Sequence, residues 1–328
     1  MIATCEAPGR GPVPSGGGAH PGGRRPWLVA SDLHLGAVPE STERAFYRFL
    51  DYAAGSAEGV VINGDLFDFW YSYRHFVPRR HVRTLIMLRD AVAAGLRIIF
   101  VGGNRDAVEW DQGALRDDIG LEVYAGPVEL QLGRWRALVA HGDGVPPSPR
   151  PGERDGAFGG YRRRHAFLRH PAFVWTAKHL LSPDTPAGLM VRFTRTHEWV
   201  ARHARGESTG PKPTAPGIER WARTMLAASP ELDVVLAGHS HLPALAEVAP
   251  GRYYVNSGDW IGHHSYVLLP ADRATPEVRV WPARLPLDWT QVDDGGAPDS
   301  APQPVTSRAR ISVPEATLCE VSPAEVST

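Results

Sequence analysis

Apolar and polar positions along this chain follow two periods. Short, nearly continuous apolar runs recur at Trp27–Ser31, Val60–Asn63, Arg97–Gly102 and Leu232–Ala237. Runs of that length, bounded by turn residues, predict buried strands. Between them, Pro39–Ala54 places Phe46, Phe49 and Leu50 on one helical face, with Ser41 or Thr42 as its cap. Arg79–Ala94 does the same with Leu85, Met87 and Leu88. Further short strands are expected near Leu121–Tyr124, Val128–Gln131, Trp135–Ala140, Tyr253–Asn256, Tyr266–Leu269 and Val278–Trp281. Strand–helix alternation followed by hairpin-like strands predicts an α/β architecture, with helices outside two packed sheets.

Three stretches leave that rhythm. Residues 1–25 are low in complexity (A-P-G-R-G-P-V-P-S-G-G-G), and residues 285–328 are rich in Pro, Ala, Ser and Asp. Both read as disordered tails around a folded body of residues 26–284. Inside the body, residues 159–205 are helical in pattern and carry nine Arg and Lys against Asp184 and Glu198. This segment reads as a helical lid inserted over about residues 155–215, with 206–216 as a flexible return to the core.

The chain has 328 residues, 43% of them hydrophobic, enough to bury a full core. A formal charge of −1 points to neither nucleic acid nor membrane. Lysine occurs only at 178 and 212, so the bias toward Arg lowers the weight of any single Arg. Cys5 and Cys319 both lie in the tails, which excludes a disulfide framework and a thiolate metal site. With no long apolar run and no apolar leader, a cytoplasmic setting is expected.

The chemistry gathers where apolar runs end. Five segments do so: V-A-S-D-L-H-L (Val29–Leu35), G-D-L-F-D (Gly64–Asp68), G-N-R-D (Gly103–Asp106), H-G-D (His141–Asp143) and G-H-S-H (Gly238–His241). Each alone passes for a polar strand cap; five in one chain do not. On a strand, Asp32 and His34 would face the same way. Asp32, His34, Asp65, Asn104, His141, His239 and His241 form an oxygen and imidazole set suited to Mn²⁺, Fe²⁺ or Zn²⁺. Seven donors are too many for one ion, whereas two ions bridged by Asp65 use them all. Two ions about 3.5–4 Å apart clamp a phosphoryl group and activate water, which is phosphoester hydrolysis.

The order D-x-H, G-D-x-x-D, G-N-x-D, H-G-D, G-H-x-H resembles the calcineurin-like metallophosphoesterase family across Trp27–Trp281. The resemblance implies a four-layer αββα sandwich with a helical lid insertion and a dinuclear site. It assigns Asp32, His34 and His241 to one ion, Asn104, His141 and His239 to the other, and Asp65 to both, with Mn²⁺ expected first. One position departs: most of the family reads G-N-H-D/E, whereas this chain has Arg105. An Arg cannot serve as a general acid near neutral pH, but it grips phosphate through two N–H groups.

G-N-R-D, D-L-H-L, G-D-L-F-D-F-W (through Trp70) and the inserted helices resemble one branch of that family. It hydrolyses UDP-2,3-diacylglucosamine to UMP and 2,3-diacylglucosamine 1-phosphate in lipid A biosynthesis, by attack of a metal-activated hydroxide. That resemblance makes Asp65, Asn104, Arg105 and His141 catalytic. It places Asn104, Arg105, Asp155, Tyr161, Arg164, Arg169 and His239 against a nucleotide-linked glycolipid. A diphosphate leaving group needs less acid assistance than an alkoxide, consistent with Arg105. The lid's apolar residues (Phe167, Phe173, Val174, Trp175, Leu180, Leu181) would shelter acyl chains or rest on the cytoplasmic face of the inner membrane. No nucleic-acid partner is expected. Two alternatives stand beside this reading. One is a phosphodiesterase or phosphatase acting on nucleotides or another lipid-linked diphosphate. The other is a non-catalytic scaffold, which the seven intact donor positions disfavour. Asp68 and Asp106 are expected to orient ligand side chains, and His75, His81, His263 and His264 to be solvated loop residues.

Overall fold

The computed structural model describes residues 25–111, 113–144, 167, 169–180, 200, 202, 215–272 and 274–281. Both predicted tails, most of the predicted lid, and Asp155, Tyr161 and Arg164 lie outside the described residues.

Among the described residues, eleven strands form two sheets. In the first, β1 (Trp27–Ala30), β2 (Gly59–Asn63), β3 (Arg97–Val101) and β4 (Glu122–Tyr124) run parallel, β10 (Ser265–Leu269) pairs antiparallel with β1, and β11 (Glu277–Val280) pairs antiparallel with β10 at the edge. The second has the order β5 (Val128–Leu132), β6 (Trp135–Val139), β7 (Val234–Ala237), β9 (Arg252–Asn256), β8 (Ala244–Ala249), with β6, β7 and β9 parallel.

Period-two alternation explains why these sheets stack. Along β1, Trp27 and Val29 meet Trp135, Val139, Leu236 and Val255 of the second sheet. Leu28 and Ala30 face the other way, onto Phe46, Phe49 and Leu50 of α1 (Glu40–Ser56) and Leu85 and Leu88 of α2 (Val82–Ala93). Ile218, Ala222 and Leu226 of α4 (Ala215–Ala228) cover Val235 and Tyr254 on the far face of the second sheet. The layers are therefore helices, sheet, sheet, helix, as expected. Of the predicted lid, the main described element is α3 (Pro171–Leu180), whose Val174 and Ala177 pack with Phe69, Tyr71 and Trp110.

Several local expectations need correction. Neither Ser41 nor Thr42 caps α1: Pro39 is its capping residue, with no side-chain hydrogen bond there. The predicted 79–94 helix opens as a separate short turn, Arg79–His81. Helix α4 and strand β8 were not expected at all. Pro216 and Gly217 look like breakers, but Pro is tolerated in a first helical turn because that N–H needs no intrahelical partner. Strand β8 reads A-L-A-E-V-A, a helix-favouring composition that pairing with β9 overrides.

His81 is the clearest miss. It is 1% exposed, its ring lies 4.5 Å from that of Phe67, and Nε2 sits 3.2 Å from the Phe69 carbonyl. Burial, and then the charge of Arg80, lowers its pKa from 6.5 to about 3, so it is neutral in the folded chain. The unfolded chain takes up this proton below pH 6.5, so the associated stability is complete above that value and is lost as pH falls toward 3. We expect the His81 ring resonances to stay fixed in an NMR titration from neutral pH down to the onset of acid unfolding. A midpoint near the ordinary histidine value would contradict the burial.

Candidate active site

The five motifs meet at one edge, where carboxyl ends of strands from both sheets converge. Asp32 and His34 follow β1, Asp65 follows β2, and Asn104 and Arg105 follow β3. From the second sheet, His141 follows β6, and His239 and His241 follow β7. Asp32 and His34 do not stand on a strand, because β1 ends at Ala30. They reach the site through left-handed backbone, with φ of 53° and 49°.

This backbone is a signature of the site. The non-glycine residues with positive φ among those described are Asp32, His34, Asp65, His239, His241 and His264. All but His264 belong to the predicted donor set. Left-handed conformation costs an L-residue about 1 kcal/mol or more, and it persists where the surroundings over-determine it for function. Here the surroundings are the loop ladder: the Asp32 amide donates to Gly64 O at 3.0 Å, His34 to Asp65 O at 2.9 Å and Leu35 to Leu66 O at 2.9 Å. Gly64 and Gly103 let the β2 and β3 loops touch. A Cβ on Gly64 would lie 2.9 Å from Gly103 Cα and strike the His141 ring, and one on Gly103 would strike the Asp65 carboxylate.

The donor atoms are close and buried. His241 Nε2 is 3.0 Å from Asp32 Oδ1 and 3.4 Å from His34 Nε2. Asp65 spans the cluster, with Oδ2 3.7 Å from His34 Nε2 and Oδ1 3.5 Å from His141 Nε2. The rings of His141 and His239 are 5.2 Å apart, and the His239 amide donates to Asp32 Oδ2 at 2.9 Å. Among the described residues, two groups have donor atoms near enough to share an ion: Asp32, His34 and His241, and Asp32, Asp65 and His141.

The electrostatics call for cations. Burial alone would raise the Asp32 and Asp65 carboxyls, but His241 and His141 beside Asp32, and His141 and His34 beside Asp65, hold both ionised, well below the usual range. Burial would lower His141, yet Asp65 and Asp32 push it up to about 10. Burial keeps His34 neutral, with a pKa near 3. His141 Nδ1 donates to Asn63 O at 2.9 Å, which aims Nε2 at the cluster. That Nε2 and Asn104 Oδ1 are buried without a hydrogen-bond partner. Two buried carboxylates, an Asn104 oxygen and a His141 Nε2 whose proton an ion would displace are a donor set that divalent ions take, so the residues fit the group.

Surrounding groups hold the donors in place, and here the sequence reading was incomplete. Asp106 acts on backbone and not on ligand side chains: it accepts from the amides of Asp65 (3.0 Å), Leu66 (2.5 Å), Phe67 (3.2 Å) and Gly103 (2.9 Å). Asp68 is fully buried, and neither carboxylate oxygen has a hydrogen-bond partner among the described residues. Asp259 was missed, although its segment N-S-G-D-W ends a strand at the same edge. Its Oδ2 lies 3.3 Å from His241 Nδ1, while Oδ1 accepts from the amides of Ile261, Gly262 and His263. His263 also sets Nδ1 3.3 Å from Asp259, and His264 approaches Thr42 Oγ1 at 3.4 Å. If His241 ligates an ion, Asp259→Asn should lower affinity for that ion by about 10–100-fold, the usual cost of losing a carboxylate behind a ligating His. Metal titration by calorimetry measures it, and unchanged affinity would remove Asp259 from this role.

Arg105 donates its amide to Asp65 Oδ1 at 2.9 Å, and its charge helps hold Asp65 ionised. Arg169 sits just before α3 and donates to Gly103 O at 2.8 Å and Asp143 Oδ2 at 3.2 Å. It therefore ties the start of α3 to two of the site loops.

Buried carboxylates and imidazoles at the joint edge of two sheets define a metal-dependent hydrolase of phosphate esters. Comparison of sequences agrees: the chain belongs to the calcineurin-like phosphoesterase family, whose signature matches residues 26–243. It is 26% identical to the UDP-2,3-diacylglucosamine hydrolase of Porphyromonas gingivalis, over 73% of this chain and 91% of that one. Enzymes of the same name from Bordetella pertussis and Azotobacter vinelandii are each 29% identical, over 67% and 71% of this chain and 78% and 90% of theirs. Among solved structures, Yfce, a phosphoesterase from E. coli, is 17% identical with a TM-score of 0.35, over 78% of this chain and 93% of its own.

Proposed function

We propose that this chain hydrolyses the diphosphate of UDP-2,3-diacylglucosamine, giving UMP and 2,3-diacylglucosamine 1-phosphate. The observation that carries the reading is Arg105, in place of a histidine, bonded through its amide to the Asp65 carboxylate at the centre of the cluster. The similarity to hydrolases of that name supports it. On this reading Asp32, His34 and His241 hold one ion, Asn104, His141 and His239 the other, and Asp65 both; the metal is Mn²⁺. Bound there, the two ions lower the pKa of water and offset the charge that builds on the phosphoryl oxygens.

The chain's own residues do the remainder. Asp32 and Asp65 stay ionised and so keep their lone pairs available at neutral pH. The Asn63 carbonyl and Asp259 fix the tautomers of His141 and His241. Arg105 supplies a fork of N–H donors to two oxygens of the diphosphate and holds its positive charge through the reaction. No side chain need protonate the departing glycosyl phosphate, whose conjugate acid is already strong. The domain spans residues 26–284, and a lid over 155–215 brings Asp155, Tyr161, Arg164 and Arg169 to the glycolipid. The setting is cytoplasmic, at the inner face of the membrane, and no helix among the described residues is long and apolar enough to cross one.

The test is phosphorus NMR of products after incubating the Mn²⁺-loaded chain with the substrate in detergent and ¹⁸O water. UMP bearing the label, together with the acylated sugar phosphate, is the expected outcome. Turnover of a plain phosphodiester with none of this substrate would retain the metal chemistry and overturn the substrate. In the same assay Arg105→Ala should lower kcat/KM on the diphosphate about 100-fold, some 2.7 kcal/mol of lost transition-state stabilisation. Its effect on an aryl phosphate should be far smaller, and equal losses on both would refute the assigned role.

A further inference from the structure

A pair of buried hydroxyls lies at the joint of the two sheets, outside the donor set. Ser31 follows β1 in the first sheet, and Ser257 follows β9 in the second. They stand 226 positions apart in the chain, yet their Oγ atoms are 2.7 Å from each other. Both residues are buried. Ser31 Oγ is also 2.7 Å from Asp32 Oδ2 and 3.2 Å from the Gly258 carbonyl.

The protons available give these contacts a direction. A hydroxyl carries one proton to donate and lone pairs to accept. Asp32 is held ionised, well below the usual carboxylate range, so its oxygens only accept. The Gly258 carbonyl also only accepts, and it is the more distant of the two. Ser31 therefore donates to Asp32, and the proton between the two hydroxyls comes from Ser257. The other acceptor within reach of Ser257 Oγ is the Ala237 carbonyl, at a longer 3.3 Å. Donors in series polarise one another, so Ser257 strengthens the bond from Ser31.

The His239 amide gives the same Asp32 oxygen a second donor, at 2.9 Å. Oδ2 is thereby committed to protein donors. Oδ1 is turned to the imidazoles, 3.0 Å from His241 Nε2 and 3.9 Å from His34 Nε2. Close packing keeps the corner in register: a Cβ on Gly238 would lie 2.6 Å from Ser31 Oγ and 2.8 Å from Asp32 Oδ2. Residues beside Ser257 grip it again, the Trp260 amide on Asp32 O at 3.2 Å and Asn256 Nδ2 on Gly238 O at 2.9 Å.

We propose that Ser31 and Ser257 are positioning residues for the metal centre. Their hydroxyl chain holds Asp32 by one oxygen and so presents the other to the ion shared with His34 and His241. Without Ser31, the Asp32 side chain keeps the His239 amide alone on Oδ2 and is free to turn. Ser257 acts only through Ser31. The proposal rests on the reading of Asp32 as a ligand, and Asp32→Ala separates the two.

The experiment is calorimetric titration of the full chain with Mn²⁺, with the visible spectrum of the Co²⁺-loaded chain as a second readout. Ser31→Ala should lower affinity for one ion about 10–100-fold, as losing a partner behind a ligand does. Ser257→Ala should lower it about three- to tenfold, the worth of one hydrogen bond. The double variant should bind as Ser31→Ala alone does, because the second hydroxyl has no other route to the ion. The Co²⁺ bands should move in the Ser31→Ala chain, since the carboxylate meets the ion differently. Circular dichroism verifies each fold, and Ser257→Ala decides the matter should Ser31→Ala not fold. Folded variants with wild-type affinity and bands, changed only in Tm, would mean that the hydroxyls merely join the sheets and would overturn the proposal. So would a double variant weaker than Ser31→Ala by the full Ser257→Ala factor. Loss of an ion in Asp32→Ala but not in Ser31→Ala would refute the hydroxyl chain alone. Wild-type binding by Asp32→Ala would refute both readings.

Discussion

Asp65→Ala should abolish hydrolysis of every phosphate substrate and strip the chain of divalent metal at once. Asp65 stands between the two imidazole groups, one oxygen 3.7 Å from His34 and the other 3.5 Å from His141. Removing it deletes a carboxylate placed to reach both, leaves Asp32 alone between them, and takes from His141 its largest source of stabilising negative charge. The loss should go well beyond the roughly 10–100-fold that losing an outer partner costs. Two readouts bear on it, turnover of an aryl phosphodiester and metal content by mass spectrometry after gel filtration. An Asp65→Ala chain that keeps two equivalents of metal, or a tenth of its activity, would refute the bridging role. Asp65 is fully buried and holds the Arg105 amide, so the variant's fold must be verified first by circular dichroism.

The second large effect is on stability. Asp106 accepts four backbone N–H groups from the β2 and β3 loops, at 2.5–3.2 Å. Burial and the nearby Asp65 charge push its carboxyl up to about 7, while the amide donors pull the other way. Asp106→Ala would leave four buried donors without an acceptor, each costing about 1–3 kcal/mol. Even at the low end the sum is about 4 kcal/mol, or a fall in Tm of roughly 10 °C for a domain of this size. Asp106→Asn retains one acceptor oxygen and should fall between. Thermal unfolding followed by circular dichroism gives the answer. A shift of only a degree or two in the alanine variant would mean that those amides find other partners.

The sequence made the site easier to read than the frame around it. Strands β1, β2 and β3 were legible because parallel strands buried on both faces are written as unbroken apolar runs, each ending in a motif. The residues that gather at the site were legible because their spacing along the chain is itself the pattern. Two features were hidden. The left-handed backbone of Asp32 and His34 has no marker in residue type, since the ladder to Gly64, Asp65 and Leu66 imposes it from another strand. Strand β8 and helix α4 were concealed by composition, alanine in one and a Pro-Gly pair in the other, and tertiary pairing decides both. His81 looked solvated among arginines. Its burial is set by Phe67 and Trp70, which flank it only after folding.

The site draws on both sheets, and this governs when it comes into being. Asp32 and His241 approach to 3.0 Å although 209 positions separate them along the chain. Closing so distant a contact is slow and comes after the local elements have formed. A nascent chain still short of β7 carries Asp32, Asp65 and His141 but cannot complete the cluster. An emerging polypeptide therefore neither captures its full complement of metal nor attacks phosphates around the ribosome. The cluster is complete only once β7 has joined β6 beside the first sheet, so the fold itself times the arming of the catalyst.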